Sequence, residues 1–218
     1  MGGTVMKKKF VGFYNPSVIL TYVSLCFSII SMSMAFHNRI KAAVFFLMVS
    51  GLCDMFDGTV ARRCKRTEEE KKFGIQIDSL CDMVCFGVTP GVIGIFLFPG
   101  YGEVIGILTT IALSLCGLIR LAYFNVTEEL RQEETSERRS YYEGLPITCS
   151  AIAAPLAFFG GSLLSHINEL LLPLFYCGFL WVIAFLYVYN FPVKKVHGRG
   201  SYVMIACCLG LFIGVLLV

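Results

Sequence analysis

The sequence has few charged residues, a single tryptophan and only three histidines. Charged residues occupy 15% of its 218 positions, whereas 56% are apolar and the mean hydropathy is +0.74. This is not the composition of a water-soluble domain, and the length accommodates about seven membrane spans of roughly 20 residues. We therefore expect no separate soluble catalytic domain. No basic stretch interleaved with aromatics is long enough to follow a nucleic-acid backbone, so no nucleic-acid partner is expected.

Cysteine is common, with ten in the chain. Many of them lie within apolar runs, where cysteine behaves as a small apolar residue. Examples are Cys26, Cys116, Cys177, Cys207 and Cys208. No spacing resembles that of a zinc site, so the sequence predicts neither a disulfide scaffold nor a zinc centre.

Apolar runs bounded by charged residues predict seven membrane-spanning helices. They cover residues 17–36, 41–61, 75–97, 103–124, 146–164, 169–189 and 201–218. The first run is too long for the apolar region of a signal peptide, so we expect a span there. The last run is short and contains glycine, which leaves six or eight spans open. The predicted fold is an all-α polytopic membrane protein, a bundle of six to eight helices with seven as the best estimate.

The basic residues predict how these helices are oriented. With the N-terminus in the cytoplasm, 16 of the 18 lysines and arginines fall in cytoplasmic segments, and only Arg39 and Lys41 lie outside. The positive-inside rule therefore favours a cytoplasmic N-terminus. We treat 1–218 as one membrane domain, with a cytoplasmic segment at 1–16 and a variable segment at 190–218. The charged segment Asn125–Glu143 is expected to form a helix in solvent or on the membrane surface.

All four aspartates of the chain, Asp54, Asp57, Asp78 and Asp82, fall within the second and third spans. Charges inside a membrane are costly, so a cluster of four indicates a functional site. Spacings of i,i+3 and i,i+4 place each pair on one helical face. The two helices run antiparallel from a shared loop. At about 1.5 Å per residue, Asp57 should therefore meet Asp78 at one depth, and Asp54 should meet Asp82 at a greater one.

Four carboxylates at low dielectric repel one another unless cations compensate, and Arg62 alone cannot balance them. One or two divalent cations can, so the cluster predicts a metal site at the cytoplasmic end of the bundle. Two other interpretations need no metal. In one the aspartates line a water-filled ion pathway, and in the other they pair with basic residues. Gly58 and Gly74 favour a ligand site because they remove side chains beside the carboxylates, although close helix packing explains them equally well.

The pattern Asp54-x-x-Asp57-Gly58-x-x-Ala61-Arg62, followed by Gly74-x-x-x-Asp78-x-x-x-Asp82, resembles the signature of the CDP-alcohol phosphotransferases at all eight fixed positions. The eleven residues between Arg62 and Gly74 form a longer segment than is usual in that family. An insertion in a loop costs little, so the resemblance is not weakened.

Further blocks resemble the branch of this family that makes phosphatidylserine in the membrane. They are residues 78–90, 120–126 and 144–146. The resemblance implies transfer of the phosphatidyl group from CDP-diacylglycerol to the hydroxyl of L-serine, with CMP as the second product. It also implies a homodimer embedded in membrane lipid. The alternative is another acceptor, glycerol phosphate or inositol phosphate, whose phosphate would require additional basic residues.

The resemblance also implies roles for the motif residues. The four aspartates would hold two ions, Mg²⁺ or Mn²⁺, which suit a set of ligands made only of oxygen. The cytidine diphosphate part of CDP-diacylglycerol would contact Gly58, Ala61, Arg62 and Gly74. Asp82 would also act as the catalytic base, and serine would attack the phosphorus directly.

The serine carboxylate calls for an arginine, which can pair with it through two hydrogen bonds. The first candidates are Arg120 and the nearby Asn125, followed by Arg138 and Arg139. A position at the lipid headgroups would explain Arg120 equally well.

Two other classes of protein could carry paired aspartates in membrane helices. An intramembrane prenyltransferase would lack the interleaved Gly58, Ala61-Arg62 and Gly74. A divalent-cation channel or carrier would need polar residues that continue to the outer face, where only Glu103 and Glu169 lie near the edge. Both are less well supported than the transferase.

Overall fold

The computed structural model describes residues 11–98, 102–134 and 141–194, together with the glycines at 210 and 214. Within these ranges, six helical segments are long and apolar enough to cross a membrane. They are Val18–Phe36, Ile40–Ala61, Glu68–Leu97, Glu103–Arg131, Ile147–Ser165 and Leu171–Val188. The chain is an integral membrane protein, and the first six predicted spans are confirmed. The predicted seventh span, 201–218, lies outside the described residues apart from the two glycines.

The described ranges contain seven α-helices, because one span is built from two of them. The helices are α1 (Pro16–Phe36), α2 (Ile40–Arg63), α3 (Glu68–Asp82), α4 (Thr89–Leu97), α5 (Glu103–Glu134), α6 (Ser150–Ser165) and α7 (Leu171–Val188). A 3₁₀ turn at Ile147–Cys149 precedes α6. Helix α1 packs along α2, α6 packs along α7, and α5 contacts both α4 and α7.

Helix α3 begins earlier than the sequence analysis predicts. Thr67 caps it: its hydroxyl accepts from the backbone N–H of Glu70 at 3.2 Å, and the Glu70 carboxylate accepts from the Thr67 N–H at 2.8 Å. This reciprocal pair is a capping box, which starts a helix. The prediction of a loop up to Gly74 is therefore wrong, since the connection between α2 and α3 is only Cys64–Thr67.

A π-helical turn, Met83–Val88, joins α3 to α4 directly after the last aspartate. Such turns disturb the regular hydrogen bonds of a helix and are frequent at functional sites. Side chains from two other helices hold this π-helical turn in place. The Ser150 hydroxyl donates to the carbonyl of Phe86 at 2.8 Å, and the Ser114 hydroxyl donates to the carbonyl of Gly87 at 3.0 Å. The turn is thus anchored to α5 and α6.

Helices α4 and α5 approach so closely that two positions require glycine. A Cβ atom at Gly91 would lie 2.6 Å from the Cα of Thr110, and one at Gly106 would lie 2.4 Å from the Cα of Ile95. Small residues at such contacts let membrane helices pack backbone to backbone. These contacts fix the α4 part of the span that carries the π-helical turn.

The C-terminal end of α5 differs from the prediction in two ways. The helix continues to Glu134 instead of ending at residue 124, because no glycine or proline interrupts that segment. The helix predicted within Asn125–Glu143 is therefore an extension of α5. Beyond it, β1 (Tyr141–Glu143) pairs antiparallel with β2 (Pro192–Lys194). The described part is otherwise helical, so the all-α prediction is confirmed, and strands of three residues are too short to show an alternating pattern in the sequence.

Candidate active site

The four aspartates converge between α2 and α3. Oxygens of Asp54, Asp78 and Asp82, one from each carboxylate, all lie within 4.8 Å of one another. The side chains of Asp54 and Asp82 are in hydrogen-bonding contact, and so are those of Asp57 and Asp78. The predicted pairs, Asp54 with Asp82 and Asp57 with Asp78, are therefore confirmed.

The cluster lies inside the bundle. Asp57 is 8% exposed and Asp82 is 9% exposed, while Asp54 and Asp78 are half-buried. Negative charges this close repel strongly where the dielectric constant is low. Among the side chains that the structure describes, no lysine or arginine forms an ion pair with any of the four. The charge therefore calls for compensation by a cation.

The donor atoms fit a divalent cation and could hold one. All are carboxylate oxygens, which hard cations such as Mg²⁺ and Mn²⁺ prefer. Cys85, one turn beyond Asp82, offers a soft sulfur atom on the same side of the helix. It is 1% exposed and packs among serine hydroxyls, with its Sγ 3.9 Å from the Oγ of Ser24. Cys85 is thus part of the packed interior beside the cluster.

Thr21 of α1 is a site residue to which the sequence analysis assigns no role. Its hydroxyl donates to Oδ2 of Asp57 at 2.8 Å, and the side chain is only 4% exposed. The bond links α1 to the carboxylate cluster and occupies one oxygen of Asp57. Thr21 and Asp78 therefore orient Asp57. Asp57 itself lies outside the group of three carboxylates whose oxygens are within 4.8 Å of one another.

The motif residues around the carboxylates occupy the ends of α2 and α3. Gly58 and Ala61 are half-buried in the last turns of α2. Arg62 lies in its final turn, and its side chain is outside the described part. A Cβ atom at Gly74 would contact only the Arg66 guanidinium among described side chains and backbone, at an ordinary 3.5 Å. Close helix packing therefore does not explain this glycine, in contrast to Gly106.

The candidates for binding the serine carboxylate are only partly near the cluster. The Asn125 amide donates to the Ser79 hydroxyl at 2.9 Å, which fastens α5 beside Asp78 on α3. Arg120 is 8% exposed and donates to the carbonyl of Glu143 at 2.8 Å. It therefore binds the last residue of β1 and lies among protein atoms. The remaining candidates, Arg138 and Arg139, lie outside the described residues.

The two described histidines lie away from the cluster. His37 follows the last residue of α1, and His166 follows the last residue of α6. The start of α2, beside His37, is 14 residues or about 21 Å along that helix from Asp54. His197 is outside the described part. Among the groups whose positions are described, an aspartate of the cluster is therefore better placed than a histidine to accept a proton from a substrate.

Six membrane-length helical segments and a buried cluster of carboxylates define a polytopic membrane protein with an internal site that could hold a metal ion. The chain belongs to the CDP-alcohol phosphatidyltransferase family, whose sequence model matches residues 14–196. The resemblance drawn from the eight motif positions is thereby confirmed.

Several relatives bear the name CDP-diacylglycerol–serine O-phosphatidyltransferase. The one from Bacillus subtilis is 27% identical over 188 residues, which cover 86% of this chain and 95% of the relative. The one from Saccharomyces cerevisiae is 35% identical over 123 residues, or 56% of this chain and 43% of the relative. A Helicobacter pylori relative is 33% identical over 139 residues, or 63% and 54%. The chain thus spans about half of the yeast and Helicobacter proteins and nearly all of the Bacillus one.

Proposed function

We propose that the protein transfers the phosphatidyl group of CDP-diacylglycerol to the hydroxyl of L-serine, forming phosphatidylserine and CMP. The observation that carries this proposal is the convergence of four carboxylates from two helices inside a membrane bundle. The residues that form the cluster are those of the family motif. A diphosphate carries several negative oxygens, so a substrate of this kind requires cations beside it.

The donor suits a site within the bundle. Its acyl chains can enter laterally from the lipid, while its nucleotide remains at the aqueous end near Gly58 and Gly74. We place that end, together with the N-terminus, in the cytoplasm, because this orientation puts most basic residues inside. A homodimer is part of the proposal on the basis of the resemblance alone.

Serine is the acceptor that the names of the relatives support. Glycerol phosphate or inositol phosphate would bring a second phosphate and require further cations to bind it. Arg120, which is 8% exposed, already donates to a backbone carbonyl. The choice of serine therefore rests on the names of the relatives.

Asp54, Asp78 and Asp82 would hold the divalent cations, with Asp57 at their edge. Mg²⁺ or Mn²⁺, in a pair, would neutralise the diphosphate oxygens and make the phosphorus more electrophilic. Thr21 fixes the orientation of Asp57 through its 2.8 Å hydrogen bond. Held between α1, α2 and α3, the carboxylates need little rearrangement when the substrate binds.

Asp82 accepts the proton in the proposed reaction. The serine oxygen attacks the phosphorus of the phosphatidyl group, the bond from that phosphorus to the CMP oxygen breaks, and the hydroxyl proton passes to the Asp82 carboxylate. CMP leaves with the electron pair of the broken bond. Ser79 lies beside the cluster, but its hydroxyl is bonded to the Asn125 amide, so it is not proposed as a nucleophile.

Purified protein should be incubated with CDP-diacylglycerol and, in separate reactions, radiolabelled serine, glycerol phosphate or inositol phosphate. Label should enter the lipid fraction from serine alone and co-migrate with phosphatidylserine. A labelled lipid formed only from another acceptor would replace the proposed activity with that of a sibling enzyme.

The stereochemistry at phosphorus tests the single displacement. CDP-diacylglycerol that is chiral at the transferred phosphorus should give inverted product, since one in-line attack inverts and two attacks retain. Net retention, or a phosphatidyl-enzyme trapped without serine, would show a covalent intermediate and refute the direct attack.

A further inference from the structure

Arg66, which lies outside the family motif, is positioned over the carboxylate-bearing face of α3. Its Nη1 atom lies 3.5 Å from the position that a Cβ atom of Gly74 would occupy. The residue follows the end of α2 and directly precedes Thr67, the cap of α3. The cap fixes the backbone beside Arg66 and thus helps to determine where its side chain lies.

Gly74 connects Arg66 to the site. Gly74, Asp78 and Asp82 are spaced by four residues and therefore share one face of α3. From Gly74 to Asp78 the rise along the helix is about 6 Å. A diphosphate bound at one end by a cation at the aspartates can bridge that distance and reach the Arg66 guanidinium at its other end.

The charge of Arg66 is available for such a group. Its side chain is half-buried, and no carboxylate among the described residues forms an ion pair with it. Nearby acidic side chains have other partners: Glu70 accepts from the Thr67 N–H, and Glu68 pairs with Lys71 at 2.6 Å. A guanidinium in this position is suited to bind a phosphate through two hydrogen bonds.

We propose that Arg66 binds a phosphate group of the diphosphate of the nucleotide donor, over Gly74 and on the aqueous side of the carboxylate cluster. This inference rests on the proposed function for the identity of the donor. Phosphate of a neighbouring lipid headgroup has the same chemistry, so the test must separate the two sources.

The binding of soluble CDP separates them, because CDP carries the diphosphate without lipid. Affinity should be measured by calorimetry with Mg²⁺ in a neutral detergent, for wild type, Arg66→Gln and Arg66→Lys. The matched control is Arg63→Gln, which removes an exposed arginine from the last position of α2, three residues before Arg66. The melting temperature of each variant verifies its folding.

We expect Arg66→Gln to weaken CDP binding about tenfold, or about 1.4 kcal/mol, with Arg66→Lys intermediate and Arg63→Gln unchanged. In turnover, Arg66→Gln should raise the KM for CDP-diacylglycerol by a similar factor and leave the KM for serine unchanged. Unchanged CDP affinity in Arg66→Gln, or an equal loss in Arg63→Gln, would overturn the inference. An effect confined to vesicles of anionic lipid would assign Arg66 to headgroups and also overturn it.

Failure of this inference is distinguishable from failure of the proposed function. Wild-type protein that binds CDP but makes no phosphatidylserine contradicts the acceptor assignment and leaves the Arg66 result interpretable. Wild-type protein that does not bind CDP would contradict both.

Discussion

Replacing Thr21 by valine removes one hydroxyl from the carboxylate cluster with almost no change in shape. That hydroxyl donates to Oδ2 of Asp57 at 2.8 Å, and both residues are less than a tenth exposed. Water therefore has little access to replace the lost bond. Asp57 would keep its contact with Asp78 but lose the donor that connects it to α1.

The size of the effect follows from the charge and burial of the acceptor. A hydrogen bond to a charged group contributes about 1.5–3 kcal/mol, and each 1.4 kcal/mol corresponds to about a factor of ten. We expect Thr21→Val to lower kcat/KM by about tenfold to a hundredfold. Because Thr21 acts by positioning a carboxylate beside the metal ligands, the variant should also need more Mg²⁺ for half-maximal activity. Thr21→Ser keeps a hydroxyl and should therefore retain most of the wild-type kcat/KM and most of the wild-type Mg²⁺ dependence.

The matched control is Thr109→Val, which alters an equally buried threonine of α5. Its hydroxyl donates to the carbonyl of Ile105 and accepts from the Trp181 indole. It lies 16 residues, or about 24 Å along the helix, from Asn125 beside the site. Steady-state kinetics at several Mg²⁺ concentrations compare the variants. Wild-type kinetics in Thr21→Val, or the same change of Mg²⁺ dependence in Thr109→Val, would refute the positioning role.

Three further predictions concern the metal, the glycines and the buried arginine. Activity should disappear in EDTA and return with Mg²⁺ or Mn²⁺, and full activity in chelator would exclude a metal-dependent reaction. Gly74→Ala should keep the wild-type melting temperature yet lose at least about tenfold in rate, whereas Gly106→Ala should be destabilised by about 1–3 kcal/mol because its Cβ would meet the backbone of α4. Equal melting temperatures for Gly74→Ala and Gly106→Ala would contradict the expected difference in stability. Arg120→Lys should raise the KM for serine without changing that for CDP-diacylglycerol, and an unchanged serine KM would limit Arg120 to holding the end of β1.

The arrangement of the aspartates was predictable because it depends only on regular helix geometry. Spacings of i,i+3 and i,i+4 place each pair on one face of its helix, and antiparallel helices bring Asp54 beside Asp82 and Asp57 beside Asp78. The count of residues to the connection does not give these pairs, because Asp57 lies six residues before the end of α2 and Asp78 ten residues after the start of α3. The start of α3 could have been predicted too, since Thr67 and Glu70 have the spacing of a capping box.

Other features carry no local signal in the sequence. Thr21 reaches Asp57 across 36 residues of sequence, and only the packing of α1 against α2 makes that contact. The π-helical turn after Asp82 depends on hydroxyls from α5 and α6 that support its carbonyls. Arg66 lies in a segment that the motif spacing assigns to an inserted loop, and its contact with Gly74 depends on the start of α3 at Glu68.

The most direct test of the central claim is the amount of labelled phosphatidylserine formed from CDP-diacylglycerol and labelled serine by wild type, Asp54→Asn, Asp78→Asn and Asp82→Asn. Asparagine preserves size while removing charge, and Glu103→Gln, at an exposed carboxylate that begins α5, is the matched control. We expect a loss of at least about a hundredfold, or about 2.8 kcal/mol, in each aspartate variant, with normal membrane insertion and an active control. Near wild-type synthesis of phosphatidylserine by any of the three folded variants would contradict the carboxylate cluster as the reaction centre.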